Sequence, residues 1–243
     1  MKQKQRIALL GIAAFALIFA ACGGDSGNNG TETEGGGSSS IKQGTLIYGG
    51  RTYKTVTIGT QTWMAENLNY ADSTAMPNLK GNSWCYENSA DSCAKYGRLY
   101  TWTGAMNIDS SYQSAAVISA PWRGACPTGW HIPTDAEWTT LETVVGSYSY
   151  SVAGTKLKST SGWNDDGDES GNGTDAYGFS ALPAGARYDD GNFSYVGDDA
   201  DFWSATEDGT GIAYYRYLYH FYAIMHTYYH NKKDAFSVRC VQD

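Results

Sequence analysis

Four cysteines, Cys85, Cys93, Cys126 and Cys240, follow a leader that reads as an export signal, and this combination constrains the fold more than any other feature. In an oxidising compartment an even number of cysteines implies two disulfides, and four cysteines allow three pairings. The expected pairing is Cys85–Cys93, a local clip, with Cys126–Cys240, which brackets more than half of the domain. In the chain-entropy model, closing a loop of about 100 residues stabilises a fold by roughly 4–5 kcal/mol. A zinc site is the rival use of these thiols. No C-x-x-C pair occurs, however, and no histidine lies near Cys85 or Cys93.

The leader is residues 1–21. Lys2, Lys4 and Arg6 precede an apolar stretch over residues 7–21 that stops at Cys22. A basic start, an apolar stretch of about 15 residues and small residues before the cut make a secretory signal. Phe19-Ala20-Ala21-Cys22 resembles a bacterial lipobox, whose cysteine takes lipid and becomes the mature N-terminus. Several acyl chains anchor a protein stably, so the membrane is an expected partner through Cys22. Residues 23–40 contain no apolar side chain and read as a flexible Gly/Ser-rich tether. The expected organisation is a signal peptide at 1–21, lipidated Cys22 and tether at 22–43, and one domain at 44–243. The expected location is the outer membrane or cell surface. Without the leader the chain has 14 basic residues (17 less Lys2, Lys4 and Arg6) against 25 acidic ones, a net charge of −11. Such acidity argues against nucleic acid, whose phosphates need clustered Lys and Arg.

Within the domain, residues 44–64 alternate polar and apolar around Gly49-Gly50 and predict a hairpin, with a second turn at Gly59. Leu99, Trp102 and Met106 sit at helical spacing and predict a helix over 97–106. Thr134 and Glu137 form a capping box for a helix whose apolar stripe is Trp138, Leu141 and Val145, ending near Gly146. Strand-like runs follow at 179–182, 193–196, 202–206, 213–222 and 236–241. Two helices, short and mostly antiparallel strands and long loops predict an α+β domain.

Five stretches carry a family resemblance: Y-G-R-L-Y-T-W at 96–102, C-P-T-G-W-H-I-P-T-D-A-E-W at 126–138, G-N-G-T-D-A-Y-G-F-S-A-L-P-A-G-A-R at 171–187, F-W-S-A-T-E at 202–207 and F-S-V-R-C at 236–240. Together they resemble the Fibrobacter succinogenes major paralogous domain over roughly residues 55–242. The resemblance implies a C-type lectin-like fold, near the formylglycine-generating enzyme domain, and a surface-anchored module without an established activity. It also implies a bridge from Cys126, ahead of a helix, to Cys240 on the last strand. Cys240 matches the structural cysteine of that branch, so copper-dependent thiol oxidation is not expected. The lectin calcium tripeptides, Glu-Pro-Asn and Gln-Pro-Asp, do not occur, and Trp163-Asn164-Asp165 repeats the later lectin motif only superficially.

No nucleophile–base pair or G-x-S-x-G announces itself, and a non-catalytic module is expected. His131 reads as closing the turn into the capped helix. A ligand platform is expected from Trp163, Tyr188, Tyr195, Trp203, Tyr215, Tyr217 and Tyr219, because Tyr and Trp stack on sugar or peptide faces while their polar ends stay wet. The ligand class is polysaccharide or a surface protein; a structural envelope role is the alternative. No cofactor is required, but calcium is a candidate at Asp165, Asp166, Asp168, Glu169 and Asp175 on an oxygen-rich loop. His220, His226 and His230 offer a lesser transition-metal set. Asp198 and Asp199 read as part of a hairpin turn. A buried pair of perturbed acids would favour an enzyme.

Overall fold

The computed structural model describes residues 41–116, 122–146 and 152–243. Cys22 and residues 23–40 therefore lie outside the described residues. Among the described residues the chain is mostly β, with 13 strands in three antiparallel sheets and four α-helices. The expected α+β, C-type lectin-like fold is thus corrected. Only one helix, α3 (Asp135–Val145), reaches 11 residues; α1 (Ala90–Tyr96), α2 (Trp102–Met106) and α4 (Ala153–Leu157) have 7, 5 and 5. The helix expected over 97–106 is instead a strand, Leu99–Thr101, running into α2. Hydrogen-bonded neighbours on both sides claim Leu99, Tyr100 and Thr101, whereas Trp102 and Met106 remain helical in α2.

The first sheet is ordered β1-β2-β3-β13-β6, from β1 (Lys42–Tyr48), β2 (Arg51–Ile58), β3 (Gln61–Met64), β13 (Val241–Gln242) and β6 (Trp130–His131). Gly49 and Gly50 join β1 to β2 with φ of +58° and +75°, the left-handed pair that a two-residue hairpin turn requires. Another sheet is ordered β4-β5-β12-β7-β8, from β4 (Ser83–Trp84), β5 (Leu99–Thr101), β12 (Ala235–Phe236), β7 (Ala184–Arg187) and β8 (Phe193–Val196). The remaining sheet is β11-β10-β9, from β9 (Asp199–Glu207), β10 (Ile212–Tyr219) and β11 (His226–Asn231). Residues 179–182 form no strand beyond a single bridge from Ala181 to Lys158. The expected 236–241 strand divides between β12 and β13, which belong to different sheets.

Tryptophans fill the interior. Trp63, Trp138, Phe179 and Phe202 meet with ring centroids 4.7–6.2 Å apart. Trp102, Trp203, Tyr100 and Phe236 fill a second cluster beside the Cys126–Cys240 disulfide. Cys85 and Cys93 form the other bridge, so both pairings are the ones favoured from sequence. The capping box at Thr134 has both of its hydrogen bonds. His131 extends it, reaching Glu137 Oε1 at 2.8 Å through Nε2 and Asp243 Oδ1 at 2.6 Å through Nδ1. The hydrogen bond to Glu137, followed by the one to Asp243, raises the His131 pKa despite its burial.

The interior also holds cations. Arg239 is fully buried and donates to Asn67 Oδ1, Met64 O, Phe179 O and Ser180 O. Burial pushes its pKa down to about 9. Buried Lys232 is paired with Glu207 and donates to Ala115 O at 2.9 Å. Arg216 fixes β10 to α3 through Asp135 and Glu142.

Candidate functional site

Strand β10 alternates. Arg216 and Leu218 are buried on one side, while Tyr215, Tyr217 and Tyr219 are half-buried on the other. The period of two puts these tyrosines on one face with their cross-strand partners. Tyr217 lies opposite His226 of β11, and Tyr215, Tyr217 and Tyr219 lie opposite Trp203, Asp201 and Asp199 of β9.

The β7–β8 hairpin brings two further tyrosines to this face, Tyr188 from its turn and Tyr195 from β8. Ring contacts run from Tyr195 to Tyr188 at 6.3 Å, then to His230 at 5.8 Å and Tyr215 at 5.9 Å. They continue to Tyr217 at 5.9 Å and His226 at 4.6 Å, these last two rings stacked within 13°. Tyr222 follows at 5.0 Å and Tyr219 at 5.6 Å from it. Five of the seven expected platform residues, Tyr188, Tyr195, Tyr215, Tyr217 and Tyr219, are thus joined in one file of rings.

Tyr195 holds its place in an unfavourable conformation. Its φ is +66°, a region that bulky L-residues avoid, and it is 49% exposed. It faces Gly185, φ +64°, where a Cβ would come within 2.4 Å of Ser194 O. Backbone strain of about 1–3 kcal/mol persists only where the surroundings enforce it, and it collects at functional sites.

The two tryptophans expected here are core residues. Trp203 is fully buried, with Nε1 donating to Tyr100 O at 2.8 Å, and Trp163 donates to Ala181 O at 3.1 Å. Each indole has an interior carbonyl to satisfy, and that geometry keeps it from the surface.

Sequence reasoning missed Asp201 and misplaced Asp199. Asp198 does lie at a turn, its N–H on Tyr195 O at 3.0 Å, but Asp199 and Asp201 project within β9. The legible signal was the alternation D-A-D-F-W, with acids where Ala200 and Phe202 mark the opposite, buried side. Asp201 is 4% exposed, and its carboxyl makes no hydrogen bond or ion pair among the described residues. Oδ1 of Asp199 is buried and unpartnered, as is Nε2 of His226. Burial, reinforced by the charge of Asp198, pushes the Asp199 pKa up to about 7. Burial, reinforced by Asp199, holds Asp201 well above the usual carboxylate range. Burial raises Tyr188 and Tyr215 as well, and Asp201 is the next cause for both.

The calcium set is not assembled. Asp165, Asp166, Asp168 and Glu169 are exposed, and Asp166 and Glu169 merely close a small turn on each other's backbone. Asp175 accepts from Ser180 N at 2.7 Å and Ser180 Oγ at 2.5 Å, which commits it to a local turn. Among the described residues no group of three or more His, Cys, Asp or Glu is placed to hold a metal ion. The three histidines separate: His220 contacts Asn164 O, while His226 and His230 stack among different tyrosines. The largest cavity described, about 560 Å³, lies elsewhere, lined by Gln43, Lys54, Thr55, Asp175 and Ser180. It has no aromatic wall, and its one acid is already bonded to Ser180. The tyrosine face is the stronger candidate.

Residues 56–242, most of the chain, match the model of the Fibrobacter succinogenes major domain. No curated protein and no solved structure matches the chain.

Proposed function

Since the chain belongs to the Fibrobacter succinogenes major domain family, a membership that carries kinship and no activity, we propose a non-catalytic polysaccharide-binding module on the bacterial envelope. The anchor in this reading is lipid on Cys22, with residues 23–40 as the tether, at the outer membrane or cell surface. One observation carries the binding role: a continuous file of half-exposed Tyr and His rings beside Asp201, 4% exposed, and Asp199, whose buried Oδ1 has no partner among the described residues. Flat rings stack on the apolar faces of sugars, and unsatisfied polar atoms at such a surface favour hydroxyl-rich partners.

The test is retention of the purified protein on a panel of immobilised plant and bacterial polysaccharides. Retention on at least one, weakened more than tenfold by combined Tyr188→Ala and Tyr217→Ala, supports the reading; no retention on any sinks it. The anchor is tested separately by labelling cells with radioactive palmitate. The label should enter the wild-type chain and be absent from Cys22→Ala.

The buried acids favour one second reading, glycoside hydrolysis. A hydrolase divides the labour between one protonated and one ionised carboxyl. Here no cation or donor holds either group ionised, and for that reason binding is preferred. Release of reducing ends from a retained polysaccharide, lost in Asp199→Asn, would reverse the preference.

A further inference from the structure

Asp234 and Asp201 have almost the same burial on neighbouring parts of one face, at 3% and 4% exposure. Asp234 accepts from Asp189 N at 2.9 Å and lies 2.5 Å from His230 Nδ1. Asp201 has no such partner, and two residues away Asp199 leaves Oδ1 buried and alone. No Lys or Arg is close enough to Asp201 to oppose the rise in its pKa. A buried carboxyl without a donor is costly, and the usual remedy is a cation or N–H donor brought to it. Here the protein does not supply one.

The surroundings narrow what could. Tyr217 and Tyr219 lie across the strand from Asp201 and Asp199, and Tyr188 and Tyr215 feel the charge of both. Tyrosine faces carry negative potential and attract organic cations. Two carboxyls without further acid or imidazole ligands do not make a divalent-metal site, and no such group is present among the described residues. An ammonium fits, because its three N–H donors can serve both carboxyls while its carbon frame lies against the rings.

We infer that Asp199 and Asp201 form a cation subsite within the tyrosine face, taking the free amino group of an amino sugar. This rests on the polysaccharide reading and specifies its ligand. An acetylated amine has lost its charge and two of its donors, so the subsite discriminates between a glucosamine polymer and its N-acetylated counterpart.

The experiment is calorimetric titration of the purified protein with two hexasaccharides, β-1,4-linked glucosamine and β-1,4-linked N-acetylglucosamine. The free amine should bind at least tenfold more tightly, and raised salt should reduce that advantage. In Asp201→Asn the preference should fall below twofold, with a thermal melt showing that the variant remains folded. Equal or tighter binding of the acetylated hexamer overturns the inference, as does a preference that survives in Asp201→Asn. If neither hexamer binds but an uncharged glycan does, the subsite fails while the polysaccharide reading stands. If no glycan binds, that reading fails and the subsite with it. Binding of a lysine-rich peptide without binding of the glucosamine hexamer also overturns the amino-sugar assignment.

Discussion

Arg239 and Asp201 are both ionisable side chains buried in this molecule, and their surroundings differ completely. Arg239 directs its guanidinium at four oxygens, including Asn67 Oδ1 at 2.7 Å and Ser180 O at 2.8 Å, with the Phe179 ring 4.5 Å away. Asp201 has tyrosines around it and no donor. Burial penalises both charges, yet only at Arg239 do hydrogen bonds offset the penalty. A satisfied buried charge cross-links the segments that satisfy it, here 64–67, 179–180 and β13's approach. An unsatisfied one adds nothing to the fold, which directs attention to a partner outside it.

The contrast can be broken first at Arg239. Arg239→Ala orphans several interior carbonyls at once and should destabilise the protein by about 3–5 kcal/mol, or prevent folding. Urea denaturation measures it, and a loss under about 1 kcal/mol would mean that the hub is dispensable. Asp201→Asn should do the reverse and stabilise the free protein by about 2 kcal/mol at pH 8. The sign follows from the raised pKa values of Asp199 and Asp201. The folded state keeps protons that the unfolded chain releases near the ordinary carboxylate value, so stability falls as pH rises. For Asp199 that decline runs from about pH 4 to about 7. The gain in Asp201→Asn should therefore shrink towards pH 4, and a melting temperature unchanged at pH 8 contradicts the account.

His131 sharpens the comparison because it is a satisfied group that titrates. Its folded pKa is raised, so its contribution is complete below about pH 6.5 and is lost as pH climbs through the folded value. His131→Gln should cost about 1 kcal/mol at pH 6, reduced by solvent because Asp243 is largely exposed, and less at pH 8.5. Equal losses at both pH values would argue for packing instead of charge. The smallest effect belongs to Tyr195→Gly. Relief of its left-handed backbone should leave stability unchanged or improved by up to about 1 kcal/mol, while glycan retention falls. Marked destabilisation would show that the ring, rather than the backbone, holds the β7–β8 turn.

Local chemistry was legible in the sequence. The Gly49-Gly50 hairpin, the Thr134 capping box and the disulfide partners all depend on nearby residues or on few alternatives. The tyrosines of β10 were legible because alternation exposes one face whatever packs on the other. Asp201 was not, since its significance is the absence of a donor, and only the folded arrangement of β7 to β12 reveals that absence. Trp163 and Trp203 failed for the converse reason: an indole reads alike in a core and on a platform until its N–H partner is known. The helical reading of 97–106 failed only in its first half: pairing with β4 and β12 draws Leu99–Thr101 into a strand, while Trp102–Met106 keep their helical spacing in α2.

In the first sheet β13 lies between β3 and β6, and Cys240 beside it is bridged to Cys126. Residues 241–242 are thus needed to join strands contributed some 110 to 180 positions earlier. A chain emerging N-terminus first cannot complete this sheet while those residues are still on the ribosome. However early the other strands are made, closure of this sheet waits for residues 241–242, and the Cys126–Cys240 bridge then seals the seam.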